Sequence, residues 1–145
     1  GSMSVEIIAG EPSIHVDVKG ISELIPIGDL SGGIDRYLSI VLSILTNRGG
    51  AIFVDEIENG FYYKNMPQLL RSIVQLCDKH NVQVIATTHS YEFLQTMSEV
   101  MPAAHKGPDE FCVLRLEKEI SHQPIVTLIE GASYKEAIES NSEIR

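Results

Sequence analysis

Three short segments of this chain carry residue types that could do chemistry. The first is Asp29-Leu30-Ser31-Gly32-Gly33, at the start of a helical pattern. Its glycines let backbone approach a ligand, free N–H groups at a helix start attract anions, and Ser31 can add a hydrogen bond. The plainer reading is a helix cap with a flexible approach. The second is Asp55-Glu56, directly after the apolar run Ala51-Ile52-Phe53-Val54. A carboxylate there suits Mg²⁺, which prefers hard oxygen and keeps several waters, and a second acid beside it could orient or deprotonate an attacking water. The plainer reading is a strand end meeting solvent. The third is His89, after Val84-Ile85-Ala86-Thr87-Thr88. Its imidazole could donate to a phosphoryl oxygen, or it could be a structural residue before a capping serine.

The elements that must position these residues follow from the periodicity. Residues 5–18 show two runs of β-formers split by Gly10-Glu11-Pro12 and read as a pair of strands. From Leu30 the spacing of Tyr37, Leu38, Ile40, Val41, Leu42, Ile44 and Leu45 predicts a helix, which Asn47-Arg48-Gly49-Gly50 ends. Residues 51–55 read as a strand inside a covered parallel sheet. Pro67 opens a helix to about Lys79, residues 82–86 are a second strand, and Ser90 caps a helix carrying Phe93, Leu94 and Met97. Residues 101–110 read as a loop, residues 111–117 and 124–129 as a hairpin, and the end as a short polar helix. The fold class is therefore α/β, with a mostly parallel sheet flanked by helices and a C-terminal β-hairpin, and all three chemical segments at one end of the sheet.

Composition bounds the function. The 145 residues allow one core rather than two, and no apolar run reaches the length of a membrane span. Gly1-Ser2-Met3 read as an expression-tag remnant, leaving 4–145 as the domain. Two cysteines, Cys77 and Cys112, make no disulfide framework and fit a reducing cytoplasm. A formal charge of −9 would repel a phosphate backbone over most of the surface, so direct nucleic-acid binding by this segment is not expected.

Taken in order, these segments resemble the C-terminal half of an ABC-type ATPase head, of the OLD-like, RecF-like and SMC-like branch. The resemblance covers residues 26–98. Leu30-Ser31-Gly32-Gly33 matches the LSGG signature, with Ile34 where the family has glutamine, and Ile57-Glu58-Asn59-Gly60 has the wording of the OLD-like ATPases after the Walker B acids. The terminal Glu143-Ile144-Arg145 is similar to the end of such chains. The resemblance implies ATP and Mg²⁺ as cofactors, Asp55 at the metal, Glu56 as the catalytic carboxylate, His89 as the switch histidine at the γ-phosphate, and Ser31, Gly32 and Gly33 as a signature loop.

No GxxxxGK[ST] occurs in the sequence, so the lysine and backbone cradle for the phosphates are expected from an N-terminal lobe outside these residues, or from another chain. The resemblance further implies a homodimer of heads, with the signature loop acting in trans, and a parent in DNA repair or anti-phage defence. The competing reading is a non-hydrolysing interaction module derived from such a head. One edge of residues 82–86 is expected to lack its neighbour, which points to self-association or to residues 5–18 filling the gap.

Overall fold

The computed structural model describes residues 2–103, 110–118 and 124–139. Strands β1 (Met3–Ile8) and β2 (Glu11–Val16) form the antiparallel pair that the Gly10 turn requires, and a two-residue β3 (Ile25–Pro26) joins the far side of β2. These strands are thus committed to their own small sheet, so of the two outcomes expected for the free edge of residues 82–86, filling by residues 5–18 is not the one seen. His15 on β2 is buried, and its ring hydrogen-bonds the Ser13 carbonyl through Nδ1 at 3.3 Å.

A single-turn α1 (Ile27–Leu30) leads into α2 (Gly32–Thr46). Ser31 is the N-cap of α2, its hydroxyl accepting from the Ile34 N–H at 3.2 Å. Strand β4 (Ala51–Val54) follows, then α3 (Met66–His80), which Asn81 ends in left-handed backbone with φ +53°. Strand β5 (Gln83–Ala86) pairs parallel with β4, and α4 (Tyr91–Ala103) follows with Ser90 Oγ accepting from the Phe93 N–H at 3.1 Å. α4 therefore runs three residues into the stretch read as a loop, whose residues 104–109 lie outside the described ones. Strands β6 (Cys112–Lys118) and β7 (Pro124–Glu130) make the expected hairpin in the register Leu114↔Leu128, and α5 (Gly131–Glu139) follows. Residues 143–145 also fall outside the described set.

The core lies where α2, α3 and α4 meet the parallel pair. Ile40 and Ile44 of α2, Ile52 and Val54 of β4, Leu70 and Ile73 of α3, and Phe93 and Val100 of α4 form one buried cluster. Helix α5 docks on α4 through two tyrosines, Tyr134 donating to the Leu94 carbonyl at 2.6 Å and Tyr91 to the Ile138 carbonyl at 3.2 Å.

Two features depart from the sheet read in the sequence. Among the described residues the parallel component is β4 and β5 alone, and the other two sheets are antiparallel. The described residues also cover the pair on one face only: Ile52 and Val54 point into the core, while Phe53 is 78% exposed and its register partner Ile85 is 46% exposed. A continuous apolar run does not reveal which of its faces the rest of the chain will cover.

Candidate functional site

Because β4 and β5 run parallel with Val54 opposite Ala86, the residues that follow, Asp55 and Thr87, leave the sheet side by side. Backbone bonds prolong the pairing beyond the strands, from the Thr87 N–H to the Val54 carbonyl at 3.0 Å and from the Ile57 N–H to the Thr87 carbonyl at 3.1 Å. The Thr87 hydroxyl donates to Asp55 Oδ1 at 2.5 Å and accepts from the Glu56 N–H at 2.8 Å. Glu56 sits in left-handed backbone with φ +46°, where a non-glycine residue is held at a cost of about 1–3 kcal/mol by its surroundings. The holding bonds are identifiable. Besides Thr87, the Asn59 N–H donates to the Glu56 carbonyl at 2.9 Å, and Asn59 Nδ2 donates to Glu56 Oε2 at 3.3 Å.

The histidine loop is tied to the same turn. Glu58 Oε1 accepts from the His89 backbone N–H at 3.0 Å, so the position of His89 is fixed from the Asp55–Gly60 loop, and its side chain is exposed. The other Glu58 oxygen, Oε2, is buried without a hydrogen-bond partner among the described residues.

The start of α2 reaches this loop by direct backbone packing. A Cβ built on Gly33 would stand 2.3 Å from the Gly60 carbonyl oxygen, and Gly60 itself has φ +83°. Gly33 is therefore glycine because another part of the chain lies against it, whereas a Cβ on Gly32 would meet open space. One turn along α2, Arg36 donates from Nη2 to the carbonyl oxygens of Asp55 and Glu56. All three segments singled out in the sequence are thus gathered at one end of the parallel pair.

Three residues to which sequence reasoning gave no positioning role hold this arrangement: Thr87, Arg36 and Glu58. The register of two parallel strands, placing Thr87 beside Asp55, is the signal that could have found Thr87. Nothing in the sequence pairs Arg36 with carbonyls about twenty residues on.

The electrostatics bear on what could bind. Asp55, Glu56 and Glu58 put three carboxylates into four residues, while Arg36 is directed at carbonyls rather than at these acids. A phosphate meets net repulsion here unless a cation accompanies it. Asp55 has one carboxylate oxygen engaged by Thr87 and is exposed, which fits an ion held by one or two carboxylates plus phosphate oxygens and water, as Mg²⁺ is. Among the described residues no three His, Cys, Asp or Glu side chains are grouped to hold a metal ion by themselves.

The arrangement is a parallel strand pair with acids and a histidine loop at its C-terminal end, backed by three helices. The family described as "AAA domain, putative AbiEii toxin, Type IV TA system" matches residues 12–95, more than half of the chain, and the chain belongs to it. It is 32% identical over 91 residues to a protein of Helicobacter pylori (strain ATCC 700392 / 26695) named "ATP/GTP phosphatase", an alignment that takes in 61% of this chain and 25% of that protein. The chain thus spans about a quarter of the length of that relative. In fold it is similar to a solved structure described as "Structural biochemistry of ATP-driven dimerization and DNA stimulated activation of SMC ATPases", with a TM-score of 0.59, 13% identity, and coverage of 99% of this chain and 83% of that one. Among the described residues no helix is long and apolar enough to cross a membrane.

Proposed function

We propose that this chain is the segment of an ATP-binding, ATP-hydrolysing head that supplies the Walker B acids, the switch histidine and a signature loop. The observation that carries the reading is the convergence of Asp55-Glu56 and the Thr87–His89 loop at one end of a parallel pair, with Gly33 packed on the same turn. In this reading Asp55 holds Mg²⁺, and the ion, when bound, neutralises charge on the terminal phosphates. Glu56 accepts hydrogen bonding from the attacking water, and its position is set before substrate arrives. His89 donates to the γ-phosphate.

Ser31, Gly32 and Gly33 face the nucleotide of a second head in a homodimer. Ser31 can both cap α2 and donate, because accepting from the Ile34 N–H leaves its hydroxyl proton free. The phosphate cradle belongs to a lobe outside these residues, since the sequence has no GxxxxGK[ST]. The family membership and the nucleotide phosphatase relative support nucleotide use. The OLD-like branch, a cytoplasmic setting and a parent in DNA repair or defence belong to the same proposal.

The test is steady-state phosphate release. The 145-residue chain alone should hydrolyse ATP no faster than buffer, because phosphoryl transfer depends on positioning and charge neutralisation by the P-loop. In a protein that joins it to a P-loop lobe, Glu56→Gln should slow turnover by about 10²-fold or more with nucleotide binding retained. Mg²⁺-dependent hydrolysis by the short chain that Glu56→Gln abolishes would overturn the division of labour. An unchanged rate for Glu56→Gln in the joined protein would return Glu56 to a strand-end acid and favour the non-hydrolysing module.

A further inference from the structure

We propose that Thr87 is the positioning residue of the Asp55–Glu56 pair, one hydroxyl setting the carboxylate of the first and the backbone of the second. The proposal rests on the reading of Asp55 and Glu56 given above, and adds a residue to which that reading assigns no role.

The geometry is specific to a hydroxyl. Thr87 Oγ1 has one proton, which it donates to Asp55 Oδ1 at 2.5 Å, and it uses a lone pair to accept from the Glu56 N–H at 2.8 Å. Its own backbone is clamped by the bonds to the Val54 carbonyl and from the Ile57 N–H, so the hydroxyl is delivered from a fixed frame. Two consequences follow. With Oδ1 occupied, the Asp55 carboxylate is held in one orientation and Oδ2 remains as the oxygen for a hard cation. With its N–H engaged by Thr87 and its carbonyl by the Asn59 N–H and Arg36, Glu56 is kept in left-handed backbone that the residue would not otherwise favour. A serine at this position keeps both bonds, whereas an isosteric valine keeps neither and leaves the Glu56 N–H without its acceptor.

The experiment uses the 145-residue chain as wild type, Thr87→Val and Thr87→Ser, with NMR readouts that need no turnover. In wild type the Thr87 hydroxyl proton should be protected from solvent exchange and should show cross-relaxation to the Glu56 amide. Thr87→Val should speed exchange of the Glu56 amide about tenfold relative to the Ile57 amide, and Thr87→Ser should return it to the wild-type rate. Mn²⁺ alone, as a probe of a hard-cation site, should broaden the Asp55 carboxyl resonance, at a concentration raised about tenfold in Thr87→Val and restored in Thr87→Ser. An unprotected wild-type hydroxyl proton overturns the proposal even if Thr87→Val fails to fold, and so does a Glu56 amide indifferent to valine. If the exchange pattern holds but Mn²⁺ leaves Asp55 unbroadened in wild type, the metal reading of Asp55 fails while the hydroxyl bridge stands, so the two failures are distinguishable.

Discussion

At the scale of single residues, the site is built from groups held where they do not relax by themselves. Glu56 is the clearest case, with φ +46° imposed on a residue that has a Cβ. Replacing it by glycine removes the left-handed penalty of about 1–3 kcal/mol and adds back about 0.5–1 kcal/mol of chain entropy. Glu56→Gly should therefore leave the chain as stable as wild type or up to about 2.5 kcal/mol more stable, while Glu56→Val should be clearly less stable. Urea denaturation of the two variants checks this, and a destabilised glycine variant would show that the carboxylate itself holds the turn together. The pattern is that of a position whose side chain is kept for something other than stability.

At the scale of elements, what matters is how α2 and α5 are seated. The start of α2 lies against the Asp55–Gly60 loop so closely that Gly33 has no room for a methyl group, whereas Gly32 has. Gly33→Ala must push backbone apart and should cost about 2–3 kcal/mol, while Gly32→Ala at the first helical position should be neutral or slightly stabilising. Thermal melts of the pair separate this packing role from the general dislike of helices for glycine. Arg36 adds a second tie between the same elements, so Arg36→Ala should speed amide exchange through residues 55–60 before it changes the global melt.

Helix α5 is seated differently, by Tyr134, whose burial, with a smaller contribution from Tyr91, pushes its hydroxyl well above the ordinary 10.0. The folded state thus favours the protonated form. The stability this contributes is full below about pH 10, and is lost as pH rises from there because the unfolded chain releases the proton first. Tyr134→Phe should cost about 1 kcal/mol at neutral pH through the lost bond to the Leu94 carbonyl, and the two melting curves should converge above pH 10.

At the scale of the whole molecule, the distribution of apolar surface is the main physical fact. Phe53 and Ile85 lie side by side on the open face of the parallel pair, and Leu114, Leu116, Val126 and Leu128 share one exposed face of the hairpin. Parallel sheets are stable when both faces are covered, so the first of these surfaces calls for cover. Among the described residues β5 pairs with β4 alone, which also leaves strand edge exposed. The isolated chain should therefore self-associate as its concentration rises. Phe53→Lys combined with Ile85→Lys should shift it toward monomer without lowering its melting temperature, because neither side chain belongs to the buried cluster. Sedimentation at several concentrations measures this, and a wild-type chain that stays monomeric throughout would show that these surfaces tolerate water.

The sequence by itself determined the succession of elements and the three segments that carry acids, histidine and glycines. Those signals are local: the run 51–54 closing on Asp55, Ser31 and Ser90 as helix caps, Pro67 in a first turn, and the Gly10 turn between two β runs are each set by neighbours a few residues away. Tertiary structure alone decided the rest. That Gly33 answers to Gly60, that Arg36 answers to the carbonyls of Asp55 and Glu56, and that Thr87 bridges Asp55 and Glu56 depend on which segments α2, β4 and β5 bring together. Which face of 51–54 is bare is likewise a property of the covering elements. An apolar run states only that burial is favourable, whereas the cover, the register and the partners of each polar group are fixed by contacts between residues far apart in the chain.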